Sequence, residues 1–293
     1  KPTLKCGFFS KRMKNISNYL SLIKFSHTIF AMPFAMIGFF LGLNDHYFSW
    51  KIFFLVILCM IFARSAAMAF NRYIDKEIDK KNPRTSKLRE IPNGTIGPKS
   101  ALLFTIINSL LFLISTYFIN KICFYLSPIA LIIILGYSYT KHFTSLCHLI
   151  LGLGLSLAPI GAYLALTSNF DILPLLFSLS VLFWVAGFDI IYSLQDENFD
   201  RKENLYSIPV KIGRKNSLIV SKILHLITFL ILFSCGKFFF FGTFFWIGFF
   251  IFSVLLLYQH SIIKENDLSK INIAFFTTNG IASLIFGLFV IID

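Results

Sequence analysis

The sequence is poor in charge, and what charge it has is lopsided. Only 14% of its 293 residues are charged, and 27 Lys and Arg stand against 14 Asp and Glu. A soluble domain of this length needs far more polar surface, so a soluble fold is excluded. Paired cysteines are also missing. Cys6, Cys59, Cys123, Cys147 and Cys235 are scattered and odd in number, which excludes a zinc ribbon, a CxxC redox centre and a disulfide scaffold. They read as reduced, small, buried hydrophobes. Low-complexity tracts are absent too. No short signal-type apolar core is seen, because the basic N-terminal stretch leads straight into a full-length apolar run.

What is present is grease: 56% of residues are hydrophobic. Apolar runs of about 20 residues recur along the chain, each long enough to cross the hydrocarbon of a bilayer. Nine candidate spans fall near 19–43, 51–70, 100–119, 122–140, 146–167, 172–192, 217–235, 238–259 and 271–292. The expected fold is all-α: a polytopic membrane protein, one domain over residues 1–293.

The net charge of +13 does not point to nucleic acid, because the basic residues sit in short loops between spans. Lys1, Lys5, Lys11, Arg12 and Lys14 precede the first span. Lys76 to Lys99 follow the second, and Arg201 to Lys215 follow the sixth. The alternate loops, at 44–46, 120–121, 168–171 and 236–237, are short and poor in positive charge. The positive-inside rule then places the N-terminus and both long loops in the cytoplasm and Asp293 outside.

Those two loops also hold most of the acidic residues. Asn71, Asp75 and Asp79 are spaced i, i+4, i+8, one face of a helix. Asp189, Tyr192, Asp196 and Asp200 form a second stripe, and Asp75 to Asp196 and Asp79 to Asp200 share one offset of 121 residues. A single DxxxD is an ordinary helix terminus. Two matched copies, each continuing a membrane span, point to chemistry. Facing carboxylates stay ionised only with cations between them, and oxygen ligands of this kind suit Mg²⁺, which keeps sites open for substrate phosphate. Arg84, Lys87, Lys141 and Lys211 can take the remaining phosphate oxygens. The expected site therefore holds a metal-bound diphosphate, with an apolar groove for an isoprenoid tail.

The motifs resemble those of the UbiA superfamily of intramembrane prenyltransferases. The family's NDxxDxxxD becomes Asn71, Asp75 and Asp79, with Arg72 in place of the second-position Asp. DxxYxxxDxxxD is matched in full by Asp189, Tyr192, Asp196 and Asp200. Further similarities are Asn82-Pro83-Arg84-Thr85, Tyr139-Thr140-Lys141 and Ser207-Ile208-Pro209 ahead of Lys211 and Gly213. His142 stands where many relatives carry Arg. The Phe25 to Phe30 stretch and the second motif are most similar to the 4-hydroxybenzoate polyprenyltransferase branch.

The resemblance implies nine helices around a central cavity and Mg²⁺-dependent transfer of a polyprenyl group from its diphosphate to an aromatic hydroxy acid in quinone biosynthesis. The enzyme would sit in the inner membrane, its active site facing the cytoplasm. It implies metal contacts from Asn71, Asp75, Asp79, Asp196 and Asp200, with Asp75, Asp189 and Asp196 in catalysis. Asp79 and Asp189 would support the metals or hold water. Diphosphate contacts would come from Arg72, Arg84, Lys87, Lys141, Tyr192 and Lys211, and acceptor contacts from Lys24 or His27. Two alternatives stand beside this: the same chemistry on a dihydroxynaphthoate for menaquinone, and a transporter with an intramembrane acidic site. His46, His148, His225 and His260 show no ligand spacing. Acceptor, chain length and oligomeric state are left open by the sequence.

Overall fold

The computed structural model describes residues 17–23, 28–44 and 46–293. It is helical throughout, and no β-strand is formed among the described residues. The helices of the bundle are α1 (Thr28–Leu41), α2 (Trp50–Ile74), α4 (Pro98–Ile119), α5 (Lys121–Thr140), α6 (Cys147–Thr167), α7 (Ile172–Ser193), α9 (Ile208–Phe238), α10 (Thr243–Ile262) and α11 (Asn279–Ile292). Two short helices, α3 (Lys76–Lys81) and α8 (Glu197–Lys202), continue α2 and α7 beyond the apolar layer.

Eight of the nine expected spans are helices long and apolar enough to cross a membrane. The first is different. Within the expected run over 19–43, the described residues are helical at 17–22 and again in α1, 14 residues long with Pro33 inside.

Two breaks shape the bundle. Gly213 adopts φ 77° and ψ 169° inside α9, a conformation for which glycine is suited, so the segment before it bends away from the span. Before α11 the chain forms a π-helix over Ile273–Thr278, and the Asn279 amide donates to the carbonyls of Ala274 and Phe275. Such a bulge re-aims the side chains it carries.

The core lies along α7. Phe177, Val181, Trp184 and Val185 are buried against Phe34 of α1, Phe252 of α10 and Phe286 of α11. The outer faces carry exposed apolar side chains such as Leu103, Ile106 and Leu110 on α4. A water-soluble protein would bury these; a bilayer accepts them. Small residues allow close approach. A Cβ at Gly38 would lie 1.9 Å from the Pro159 carbonyl oxygen, and one at Gly152 would lie 2.3 Å from that of Leu182. Backbones in contact at glycine are how helices pack in lipid, where water supplies no drive between them. Asp293 closes the opposite end, accepting from the Gly242 and Phe245 amides at 2.6 and 3.1 Å.

Candidate active site

The C-terminal ends of α2, α5 and α7 and the starts of α6 and α9 meet at one end of the bundle. Both acidic segments lie there and touch. Arg84 crosses from the first to grip Asp196 in the second, with Nε donating to Oδ1 at 3.0 Å and Nη2 to Oδ2 at 2.5 Å. Asn82 adds a bond to the same carboxylate at 3.2 Å. Lys81 pairs with Glu203 at 2.7 Å, a second tie between the loops.

Each acid of the two stripes has a cation or donor nearby. Asp75 is held by Lys141 at 2.6 Å and by Asn71 at 3.1 Å. Asp79 pairs with Arg89 and takes the Thr85 hydroxyl at 3.4 Å. Asp189 is held by His148 at 2.7 Å. Asp200 is half-buried, within electrostatic range of Asp196, Lys141 and Arg84. This compensation is expected, since unpaired charge at a lipid boundary is costly. Burial works against the Arg84 guanidinium, but the bonds and charge of Asp196 outweigh it and raise its pKa above the ordinary value.

A cavity of about 600 Å³ opens beneath this layer. Its polar wall includes Asn71, Arg72, Arg84, Asp189 and Tyr192. Its other wall is aromatic, with Trp184, Phe188 and Phe275. Phe275, presented by the π-helix, stacks on Tyr192 at 4.1 Å between ring centres. The Tyr192 hydroxyl accepts from Arg84 Nη1 at 3.3 Å. A second, almost wholly apolar cavity of about 470 Å³ runs on between α2, α4, α5 and α6. The two share Arg64, Met68, Tyr137, Leu151 and Leu155 as a common seam.

The expected residues thus divide. Asn71, Arg72, Arg84, Asp189 and Tyr192 line the cavity, and Asp75, Asp79, Asp196 and Lys141 pair around its rim. Lys87 and Lys211 are exposed and line neither cavity. Lys24 and His27 lie outside the described residues. The acids do not converge unaided: among the described residues, no three His, Cys, Asp or Glu side chains meet as a metal cage. The donors nevertheless fit a hard cation. All offered atoms are oxygens, and Asp75 Oδ1 is buried without a hydrogen-bond partner.

Sequence reasoning missed Arg64, Tyr137, Arg89 and His148 as parts of the site. Arg64 offered one signal, a lone cation inside an apolar run. The others had none, because their partners are set by tertiary packing.

Residues 31–281 match the model of the UbiA prenyltransferase family. The 4-hydroxybenzoate octaprenyltransferase of Vesicomyosocius okutanii is 27% identical over 80% of this chain and 86% of its own. That of Vibrio parahaemolyticus is 28% identical over 81% and 83%. Among solved structures, an apo UbiA homolog from Aeropyrum pernix K1 superposes with a TM-score of 0.83, at 28% identity, over 92% of this chain and 98% of that one. A UbiA homolog from Archaeoglobus fulgidus bound to GPP and Mg²⁺ shares the fold at 23% identity and a TM-score of 0.72, over 93% and 98%. With its membrane-length helices, paired aspartate segments and bipartite cavity, this chain belongs to the UbiA prenyltransferase family.

Proposed function

We propose that this protein transfers a polyprenyl group from polyprenyl diphosphate to the ring of 4-hydroxybenzoate, with Mg²⁺ as cofactor. The observation that carries the reading is the seam between the two cavities. A chamber with an arginine-rich polar wall opens directly into an apolar groove, which suits a substrate with a diphosphate head and a hydrocarbon tail. The curated relatives named above carry this activity in their names.

The division of labour follows from position. Arg72 and Arg84 on the cavity wall, with Lys141 at its rim, face the diphosphate oxygens. The groove takes the tail. Asn71, Asp75 and Asp79 on one side and Asp196 and Asp200 on the other would hold Mg²⁺, which when bound neutralises charge on the departing diphosphate. Trp184, Phe188 and Phe275 keep water from the allylic cation and present ring faces to it. Arg64 sits at the seam with its Nε buried and unpartnered among the described residues, placed to take the acceptor's carboxylate. Asp189 is the carboxylate facing the chamber that takes the ring proton. The site end also carries the basic loops, while the opposite end has little beyond Lys51, Lys121 and Lys237. That asymmetry supports a site at the cytoplasmic face of the inner membrane.

Membranes containing the protein, given radiolabelled polyprenyl diphosphate, 4-hydroxybenzoate and Mg²⁺, should yield a prenylated acid. Asp75→Ala and Asp196→Ala should each abolish it. Unimpaired variants would overturn the assignment of the acids, and a wild type that prenylates only a dihydroxynaphthoate would move the acceptor to the menaquinone-type alternative.

A further inference from the structure

His148 belongs to neither acidic motif, yet it is 3% exposed and touches the one carboxylate that faces the chamber from α7. Its ring is fixed from both sides. Nδ1 lies 2.7 Å from Asp189 Oδ2. On the other side the Ile208 amide donates to Nε2 at 3.4 Å. Ile208 opens α9, where the first backbone N–H has no partner within its own helix. Because Nε2 accepts from that amide, the ring's proton sits on Nδ1 and is donated to Asp189. One imidazole therefore ties α6, α7 and α9 together and commits Asp189 Oδ2. Among the described residues no hydrogen bond is made to Asp189 Oδ1, and Asp189 lines the chamber.

We propose that His148 is a positioning residue for the prenyl transfer: it holds Asp189 by Oδ2 so that Oδ1 is presented to the acceptor ring as the proton acceptor. The inference rests on the function proposed above. In the step concerned, the diphosphate leaves with the electron pair of its C–O bond. The ring carbon ortho to the hydroxyl forms the new C–C bond to the allylic carbon. The hydrogen on that carbon passes as a proton to Asp189 Oδ1, and the C–H electron pair restores the aromatic ring. His148 neither gains nor loses a proton. It supplies orientation, the contribution that a hydrogen-bonded partner makes to a catalytic carboxylate.

The role predicts uncoupling rather than simple loss. With His148→Ala, Asp189 is free to turn, while the diphosphate-binding residues are untouched. Diphosphate release should continue, with water capturing the cation as prenyl alcohol, while prenylated acid falls about 100-fold, the lower end of what a positioned base contributes. His148→Gln offers one donor and one acceptor in place of the ring and should recover most of the coupling. In an Asp189→Asn background, His148→Ala should cost nothing further, because its effect passes through that carboxylate.

Purified wild type and the His148→Ala, His148→Gln, Asp189→Asn and double variants would be compared for diphosphate released and prenylated acid formed. The expected result is a raised ratio of alcohol to prenylated acid in His148→Ala, rescued in His148→Gln. Equal loss of both products in His148→Ala, no rescue by Gln, or an additive loss in the double variant overturns the proposal. If His148→Ala does not fold, the comparison of His148→Gln with wild type decides: a Gln variant that folds but is uncoupled as fully as Asp189→Asn overturns it. A wild type that releases diphosphate but prenylates no aromatic acid overturns the proposed function instead.

Discussion

Arg72 occupies the motif position where the family carries an aspartate, and its surroundings explain how a cation is tolerated there. It is 7% exposed, lines the chamber, and its Nε has no partner among the described residues. Asp79 and Glu90 lie within electrostatic range and offset part of its charge, while Arg89 opposes it. A buried guanidinium with unused donors on a cavity wall is suited to an anion. Arg72→Leu should raise KM for prenyl diphosphate about 10-fold or more, the value of a hydrogen bond to a charged group, with a smaller change in kcat. Steady-state kinetics with the diphosphate varied would check this, and an unchanged KM would remove Arg72 from the binding set. The acids of the site were legible in the sequence because helical spacing is periodic. Their partners were not. His148 lies 41 residues from Asp189 and 60 from Ile208, and only tertiary packing brings those three together.

At the scale of elements, the apolar runs marked the spans well because a bilayer sets their length and composition directly. One break was invisible for the same reason: hydropathy continues through the π-helix at Ile273–Thr278. Gly213 lies instead in the polar run from Lys211 to Asn216, which reads as loop although α9 runs through it. What fixes the site is contact between elements, and the α6–α7 contact matters most, since it carries His148 on one side and Asp189 on the other. One turn along α6 from His148, Gly152 meets the Leu182 backbone so closely that a Cβ would sit 2.3 Å from its carbonyl oxygen. Backbone cannot swing aside as a side chain can. Gly152→Ala should therefore cost about 1–3 kcal/mol through overpacking and lower activity by parting the two helices. Gly136→Ala on α5 meets nothing within 4 Å, and should leave both thermal stability and turnover near wild type. Melting curves in detergent beside activity would separate the two, and equal behaviour of the pair would refute the contact's role.

Over the whole molecule, polarity runs in one direction. Paired charges close one end, the polar chamber lies beneath them, and the apolar groove extends from the seam at Arg64 and Tyr137 between α2, α4, α5 and α6. The chemistry is thus confined to one end, and the length of substrate that fits is set elsewhere. Gly161 lines the groove with no heavy atom within 4 Å of where its Cβ would be. It lies 13 residues along α6 from His148, about 20 Å at the rise of an α-helix. A phenyl group placed there should obstruct a long tail and leave the reacting end alone. Gly161→Phe should prenylate 4-hydroxybenzoate from geranyl diphosphate about as fast as wild type, while its kcat/KM with octaprenyl diphosphate falls at least about 10-fold, as for a pocket that rejects excess hydrocarbon. The two donors would be assayed in competition so that the product ratio reads the selectivity directly. An equal fall with both donors would mean that the groove does not hold the tail. A fall confined to the long donor would place the far isoprene units against α6 and make the groove, rather than the aspartate-rich rim, the determinant of chain length.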